Sequence, residues 1–261
     1  MKLTGERPIE GKTPESLLAL HEAGYREVQR HLGAGRLLDL GCGLGDGSAR
    51  FLRADRTVVG LDYEPLAARD AAQRHQGLLT VCSDGARLAL ASASFDSVCS
   101  SHLIEHFIDP EPHVAEIARV LRDTGTACII TPNAPADFEN PYHLYLFEPG
   151  DLRAMLLRHF EDVQVYGLDG DEAVKVDFER RRLFARRMLS LDPFGLRHRM
   201  PRSWYVGLHA GARRVAYPML AKLNKQSTET AEVVTADNFH VSSGIDPSTL
   251  VLFAVARRPR R

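Results

Sequence analysis

RLLDLGCGLGDGSARFLRADRTVVGLD, residues 36–62, is the stretch from which the fold can be read. It opens on a short apolar run, Leu37-Leu38-Asp39-Leu40, and passes through glycines at alternate positions, Gly41, Gly43, Gly45 and Gly47. From Ser48 to Arg53 it becomes compatible with a helix, and a second apolar run, Thr57 to Leu61, ends on Asp62. Strand, glycine loop, helix and strand make a βαβ unit of a doubly wound sheet, in which a ligand lies at the carboxyl ends of the strands.

The spacing discriminates between ligands. A dinucleotide fingerprint, G-x-G-x-x-G, needs its third glycine where this chain has Asp46. Asp39 and Asp46 would also oppose a pyrophosphate at the helix N-terminus, whereas a ligand carrying an amino group or a sulfonium suits them. The glycines let the backbone approach that ligand with no Cβ in the way. This arrangement, acid-x-Gly-x-Gly-x-Gly, resembles motif I of the class I S-adenosylmethionine (SAM)-dependent methyltransferases. The resemblance implies an α/β Rossmann-like fold with a doubly wound, seven-stranded, mostly parallel sheet whose last strand is antiparallel. It implies SAM as cofactor, held by Asp39, Gly41, Cys42 and Gly43, with Asp62 accepting from both ribose hydroxyls and Tyr63 beside it.

A short strand, Leu78 to Cys82, leads into Ser83-Asp84-Gly85-Ala86. In the family an acid here accepts from the adenine amino group, so Asp84 takes that role and the backbone of Gly85 and Ala86 completes the base pocket. Asp39, Asp62 and Asp84 thus recur at one edge across three successive strands. The next strand, Phe95-Asp96-Ser97-Val98-Cys99-Ser100, runs into Ser101-His102-Leu103-Ile104-Glu105-His106. Phe-Asp-x-Val followed by Ile-Glu-His resembles the type 11 branch, whose members act mostly on small molecules, quinones and sugars, and it adds Ser101 to the cofactor contacts. The Asn-Pro-Pro-Tyr signature of nucleic acid base methylation is absent, so no nucleic acid partner is expected.

His102-x-x-Glu105-His106 also spells a zinc peptidase pattern, but that pattern works inside a helix and here follows a strand. A divalent ion, magnesium by analogy with sugar and catechol members of the superfamily, is a second use for Glu105 and His106. The plainer reading packs His106 under the cofactor and leaves Glu105 to cap a helix. Ahead of the first strand, Pro14 to Leu32 is an amphipathic helix with Leu17, Leu18, His21, Tyr25, Val28 and Leu32 at helical spacing. In the family a leading helix covers the cofactor. His21 and Tyr25 are therefore candidates for the amino acid end of SAM, or else ordinary half-buried helix residues.

Substrate chemistry is expected in the loop after Thr131-Pro132-Asn133, which carries Asp137, Glu139, Asn140, Tyr142, His143 and Tyr145. An unactivated sugar hydroxyl must lose its proton as it attacks, and a histidine is suited to take it. His143 is the candidate base, oriented by Asp137 or Glu139; His102 or His106 are alternatives.

Composition bounds the rest. With 261 residues, 44% hydrophobic and 26% charged, the chain can bury a full core. Its first residues carry no apolar run, so no secretory signal is expected, and no window is long and apolar enough for a membrane span. Cys42, Cys82, Cys99 and Cys128 lack C-x-x-C spacing and read as reduced core residues of a cytoplasmic protein. From Phe178 to Lys225, ten arginines and two lysines face two acids, while the remainder is strongly acidic. That asymmetry marks either a face that meets something acidic or a helical surface docking on its own chain or a partner copy.

The domain reading is therefore a covering helix over 1–35, a SAM-binding core over 36–170, a basic helical insertion over 171–236 and final strands over 237–261. Trp204 and Tyr205 in the insertion suit stacking on a sugar ring, or anchor a lid or dimer interface. The entry segment, Gly5 to Gly11 followed by His21-Glu22-x-x-Tyr25, resembles actinobacterial methyltransferases of methylated polysaccharides. The function expected is O-methylation of a sugar hydroxyl on an oligosaccharide or glycolipid precursor. Methylation of a quinone or other phenol, and a non-catalytic SAM-binding protein, are the alternatives.

Overall fold

The computed structural model describes residues 11, 13–137, 142–189 and 233–261, without the side chains of 184–189. The chain begins with α1 (Glu15–His31) and continues through β1 (Gly35–Leu40), α2 (Asp46–Ala49), β2 (Arg56–Asp62), α3 (Pro65–Arg74) and β3 (Leu79–Cys82). Then come β4 (Phe95–Ser101), α4 (Glu111–Val120), β5 (Leu121–Pro132), α5 (Pro149–His159), β6 (Phe160–Gly170), α6 (Glu172–Leu189), β7 (Phe239–Ser242) and β8 (Val251–Pro259). The sheet order is β3-β2-β1-β4-β5-β8-β6-β7, with β8 antiparallel to both β5 and β6.

Helices cover both faces, which is why the parallel strands read as nearly continuous apolar runs. The alternation of side chains along β8 shows the division. Leu252, Ala254 and Ala256 join Ile117, Leu152 and Leu156 of α4 and α5 in one core. Val251, Phe253 and Val255 join Val28 of α1, Ala71 of α3 and Val174 and Phe178 of α6 in the other. The expected doubly wound, mostly parallel sheet is present.

Three local features depart from the sequence reading. The sheet has eight strands, because Phe239–Ser242 pairs antiparallel with Gly167–Gly170 at the edge. Phe239 there meets Phe178 of α6 edge-on, with ring centroids 6.5 Å apart. The helix after the glycine loop is only four residues long. The chain then turns into Arg56, whose buried guanidinium donates to the carbonyls of Leu32, Gly33 and Phe51. Cys82 is exposed rather than in the core, since β3 is the outermost strand; the other three cysteines are buried, and burial pushes the Cys128 thiol up to about 12.

The basic stretch begins within α6, where Ser16 of α1 donates to Asp177 at 2.6 Å and Arg181 pairs with the same carboxylate. Trp204, Tyr205 and most of the expected basic insertion lie outside the described residues, as do Glu139 and Asn140 of the substrate loop. Among the described residues no helix is long and apolar enough to cross a membrane.

Candidate active site

A cavity of about 930 Å³ opens at the carboxyl ends of β1, β2 and β4, beneath α1. Its wall includes His21 and Tyr25 of α1, Gly41, Cys42 and Gly43 of the glycine loop, Asp62 and Tyr63 after β2, Asp84 and Gly85 after β3, and Ser101, His102 and His106 after β4. Most of the residues expected to bind a cofactor are thus brought to one place. Asp39 and Ala86 stand behind the wall.

Gly41 and Gly43 have φ of 75° and 57°, the left-handed region, and at Gly41 a Cβ would lie 3.2 Å from Leu103. Asp62 is buried, and its two oxygens accept from the N–H groups of Gly43 (3.0 Å) and Glu64 (2.9 Å). The carboxylate is therefore fixed at the glycine loop, and a carboxylate oxygen can accept from more than one donor, a ribose hydroxyl included. Asp84 accepts from the N–H of Ala86 at 2.8 Å, which closes the turn presenting Gly85.

Asp39 does something the motif does not announce. It is wholly buried and accepts from Ser48 of α2 at 2.5 Å and from the Tyr25 hydroxyl at 3.2 Å. Burial raises its pKa to about 6, against the opposing pull of those hydrogen bonds. Tyr25 lies so flat on Gly47 that a Cβ there would sit 2.3 Å from its ring. Asp39 and Gly47 together clamp α1 onto the glycine loop. The sequence reading of Tyr25 as a cofactor ligand missed this, since the contact joins residues far apart in the chain.

At the β4 end the wall is polar. His102 has φ of 50°, unusual for a residue with a Cβ, and its ring meets that of His21 at 4.3 Å. Burial, followed by the charge of His102, lowers the His21 pKa to about 3. Glu105 is 1% exposed and receives Thr131 Oγ1 at 3.1 Å. Burial alone would raise its pKa, but His102, His143 and His106 outweigh it and hold it at about 2. Its backbone carbonyl also accepts from Leu144 and Tyr145, so the 3₁₀ turn Ile104–His106 anchors the substrate loop.

His106 donates from Nδ1 to the carbonyl of Tyr142 at 3.0 Å, and its ring stands edge-on to His143 at 5.4 Å. His143 donates from Nδ1 to Asp137 at 2.8 Å; both side chains are nearly buried, at 11% and 4% exposure. A carboxylate can only accept, so the hydrogen is on Nδ1, and whenever the ring is neutral its lone pair is on Nε2. Asp137, one of the two expected orienting acids, lies on His143; Glu139 is outside the described residues.

The cavity fits the expected SAM by its donor set. Ser101 Oγ and His102 Nε2 are buried polar atoms in the wall with no hydrogen-bond partner among the described residues, which calls for a polar ligand. The expected magnesium fits less well. Glu105, His106 and His143 each offer a ligand atom, all within 4.8 Å of one another. One carboxylate and two imidazoles suit a zinc-like ion, whereas magnesium takes oxygen.

Residues 38–129 match the family model described as a methyltransferase domain. A probable S-adenosylmethionine-dependent methyltransferase of Mycobacterium tuberculosis is 31% identical over 176 residues, 64% of this chain and 64% of that one. The chain therefore spans a little under two thirds of that relative's length. A ubiquinone biosynthesis O-methyltransferase of Parvibaculum lavamentivorans is 32% identical over 102 residues, 38% of this chain and 40% of its own. Among solved structures, a SAM-dependent methyltransferase of Thermotoga maritima, titled a possible histamine N-methyltransferase, superposes with a TM-score of 0.57 at 15% identity, covering 92% of this chain and 90% of that one. At that identity the likeness speaks for the fold alone.

Proposed function

We propose a function for a chain whose residues 38–129 belong to the class I SAM-dependent methyltransferases of the type 11 branch: transfer of the methyl group to a sugar hydroxyl of an oligosaccharide or glycolipid precursor. SAM bound in the cavity supplies an electrophilic methyl group on a sulfonium. The chain's part is to bind the nucleoside through Asp62 and Asp84, to enclose the site beneath α1, and to take the proton from the acceptor.

The observation that carries this reading is the His143–Asp137 pair at 2.8 Å. A phenol, with a pKa of about 10, gives up its proton far more readily than a sugar hydroxyl, which needs a built base at the moment of attack. An imidazole held in one tautomer by a nearly buried carboxylate is such a base. His143 is not itself in the cavity wall but stands edge-on to His106, which is; His102 lines the cavity directly and is the alternative base. The absence of any disulfide among the four cysteines supports a reducing, cytoplasmic setting.

The relative named for ubiquinone biosynthesis makes a quinone or other phenol the second reading. Labelled methyl transfer to manno- and gluco-oligosaccharides and to catechols separates the two. Label on a sugar that disappears in His143→Gln supports the proposal. Label on catechols alone, indifferent to His143→Gln, would replace it by the phenolic reading.

A further inference from the structure

His113, on α4, was not singled out by any sequence pattern, and no step above uses it. It is wholly buried among the apolar residues that hold α4 to the sheet. Its Nδ1 lies 2.8 Å from the carbonyl oxygen of Gly85, and its Nε2 lies 3.0 Å from Ser100 Oγ on β4. A carbonyl can only accept, so Nδ1 carries the hydrogen. In the neutral ring Nε2 must then accept, and Ser100 donates to it. Burial lowers the His113 pKa to about 4, against the opposing hydrogen bond to Gly85, so the ring stays neutral at physiological pH.

The ring also has a packing partner. Phe107, in the cavity wall, stacks on His113 with centroids 4.7 Å apart and planes 23° from parallel. Gly85 closes the triangle: a Cβ on it would stand 3.1 Å from Phe107 and 3.5 Å from His113 Nδ1. Gly85, Phe107 and His113 are thus packed as one unit behind the turn that begins at Asp84.

We propose that His113 is a positioning residue for the nucleoside end of the cofactor: it bridges β4 to the Ser83–Ala86 turn and backs the Phe107 ring, setting the shape of the adenine pocket without touching the ligand. This rests on the SAM reading of the cavity. Three features distinguish the bridge from generic core packing. It joins two strand ends otherwise separated by β1 and β2 in the sheet order. It fixes a carbonyl in a turn whose neighbouring residues line the cavity. It also uses both ring nitrogens with opposite hydrogen-bond roles, which an apolar side chain cannot reproduce.

The test is calorimetric binding of S-adenosylhomocysteine and of 5′-methylthioadenosine to the wild-type chain, His113→Leu, His113→Asn and Ser100→Ala. His113→Leu leaves the Gly85 carbonyl and the Ser100 hydroxyl without their partner, and affinity for both ligands should fall about tenfold. Equal loss for the two ligands would place the effect at the nucleoside. His113→Asn keeps a donor near the Nδ1 position and should recover most of the affinity. Ser100→Ala, which removes one oxygen, covers the case in which His113→Leu fails to fold; it should weaken binding about threefold. In turnover, the KM for SAM should rise with kcat within about twofold of wild type, the pattern of lost binding rather than lost chemistry.

Unchanged affinity in His113→Leu or Ser100→Ala, beside a lowered melting temperature, would overturn the proposal and leave His113 a core residue. A wild-type chain that binds neither ligand would overturn the SAM reading itself, an outcome the variants cannot mimic.

Discussion

Gly47 to alanine is the substitution whose sign the structure reverses. Gly47 lies in α2 and does not have a positive φ. Alanine at an unhindered helical glycine stabilises by about 1 kcal/mol. Here the added Cβ would sit 2.3 Å from one Tyr25 ring carbon and 2.6 Å from two more. The ring must move, and with it the hydroxyl that donates to buried Asp39 at 3.2 Å. A hydrogen bond to a charged group is worth about 1.5–3 kcal/mol. The tilted contact of Tyr25 with Phe51, at 5.3 Å, adds about 0.5–1.5 kcal/mol. Net of the helical gain, Gly47→Ala should destabilise by about 1–3.5 kcal/mol. Urea denaturation of Gly47→Ala, Tyr25→Ala and the double variant measures the coupling. With the ring gone, the alanine should cost nothing or stabilise slightly, so the coupling energy should reach about 2–4 kcal/mol, well beyond the roughly 0.5 kcal/mol of independent sites. A stabilising Gly47→Ala in the wild-type background, or the same cost in both backgrounds, would refute the clamp.

Other expectations follow from the same geometry. Asp137→Asn removes the charge that orients His143 and should lower kcat by about 10²-fold or more while S-adenosylhomocysteine affinity holds; an unchanged kcat would remove Asp137 from the reaction. Asp62→Asn keeps an acceptor but loses the charge held at the glycine loop, and should weaken S-adenosylhomocysteine binding about tenfold or more by calorimetry. His113 also predicts a pH dependence of stability. Its folded pKa of about 4 lies below its ordinary 6.5, so its stabilising effect is complete above 6.5 and lost as pH falls to about 4. The loss totals about 3 kcal/mol. His21 titrates in the same sense and Asp39 in the opposite one, so the readout is the difference between wild type and His113→Asn in urea midpoints, and parallel curves would contradict it. No step above needs a metal, so turnover should survive dialysis against EDTA. Activity lost there and restored by zinc would make Glu105, His106 and His143 a metal centre and remove His143 as the base.

What could be read from the sequence was local in the chain. The glycines at 41 and 43, and Asp62 and Asp84 at strand ends, announce themselves because each sits within a few residues of the strand that positions it. The same holds for His102, Glu105 and His106 after β4. Contacts that cross the fold were not readable. Asp39 was assigned to the ligand by its motif, yet its partners Tyr25 and Ser48 come from α1 and α2. His113 looks like one more polar residue on an amphipathic helix, and only the fold brings it to Gly85, 28 residues away. A signal for it existed in retrospect, because it occupies a core-facing position beside Val114 and Ile117. The eighth strand escaped for a different reason: Phe-His-Val-Ser is too short to signal a strand without knowing that β6 has an open edge.

The central claim is that His143, oriented by Asp137, takes the proton from a sugar hydroxyl as it is methylated. The most direct measurement is the rate of label transfer from methyl-labelled SAM to manno- and gluco-oligosaccharides by the wild-type chain and by His143→Gln, with S-adenosylhomocysteine affinity measured on both. The account predicts a labelled sugar from the wild type, a rate lower by about 10²-fold or more in the variant, and equal affinities. A labelled sugar formed equally fast by His143→Gln would contradict it.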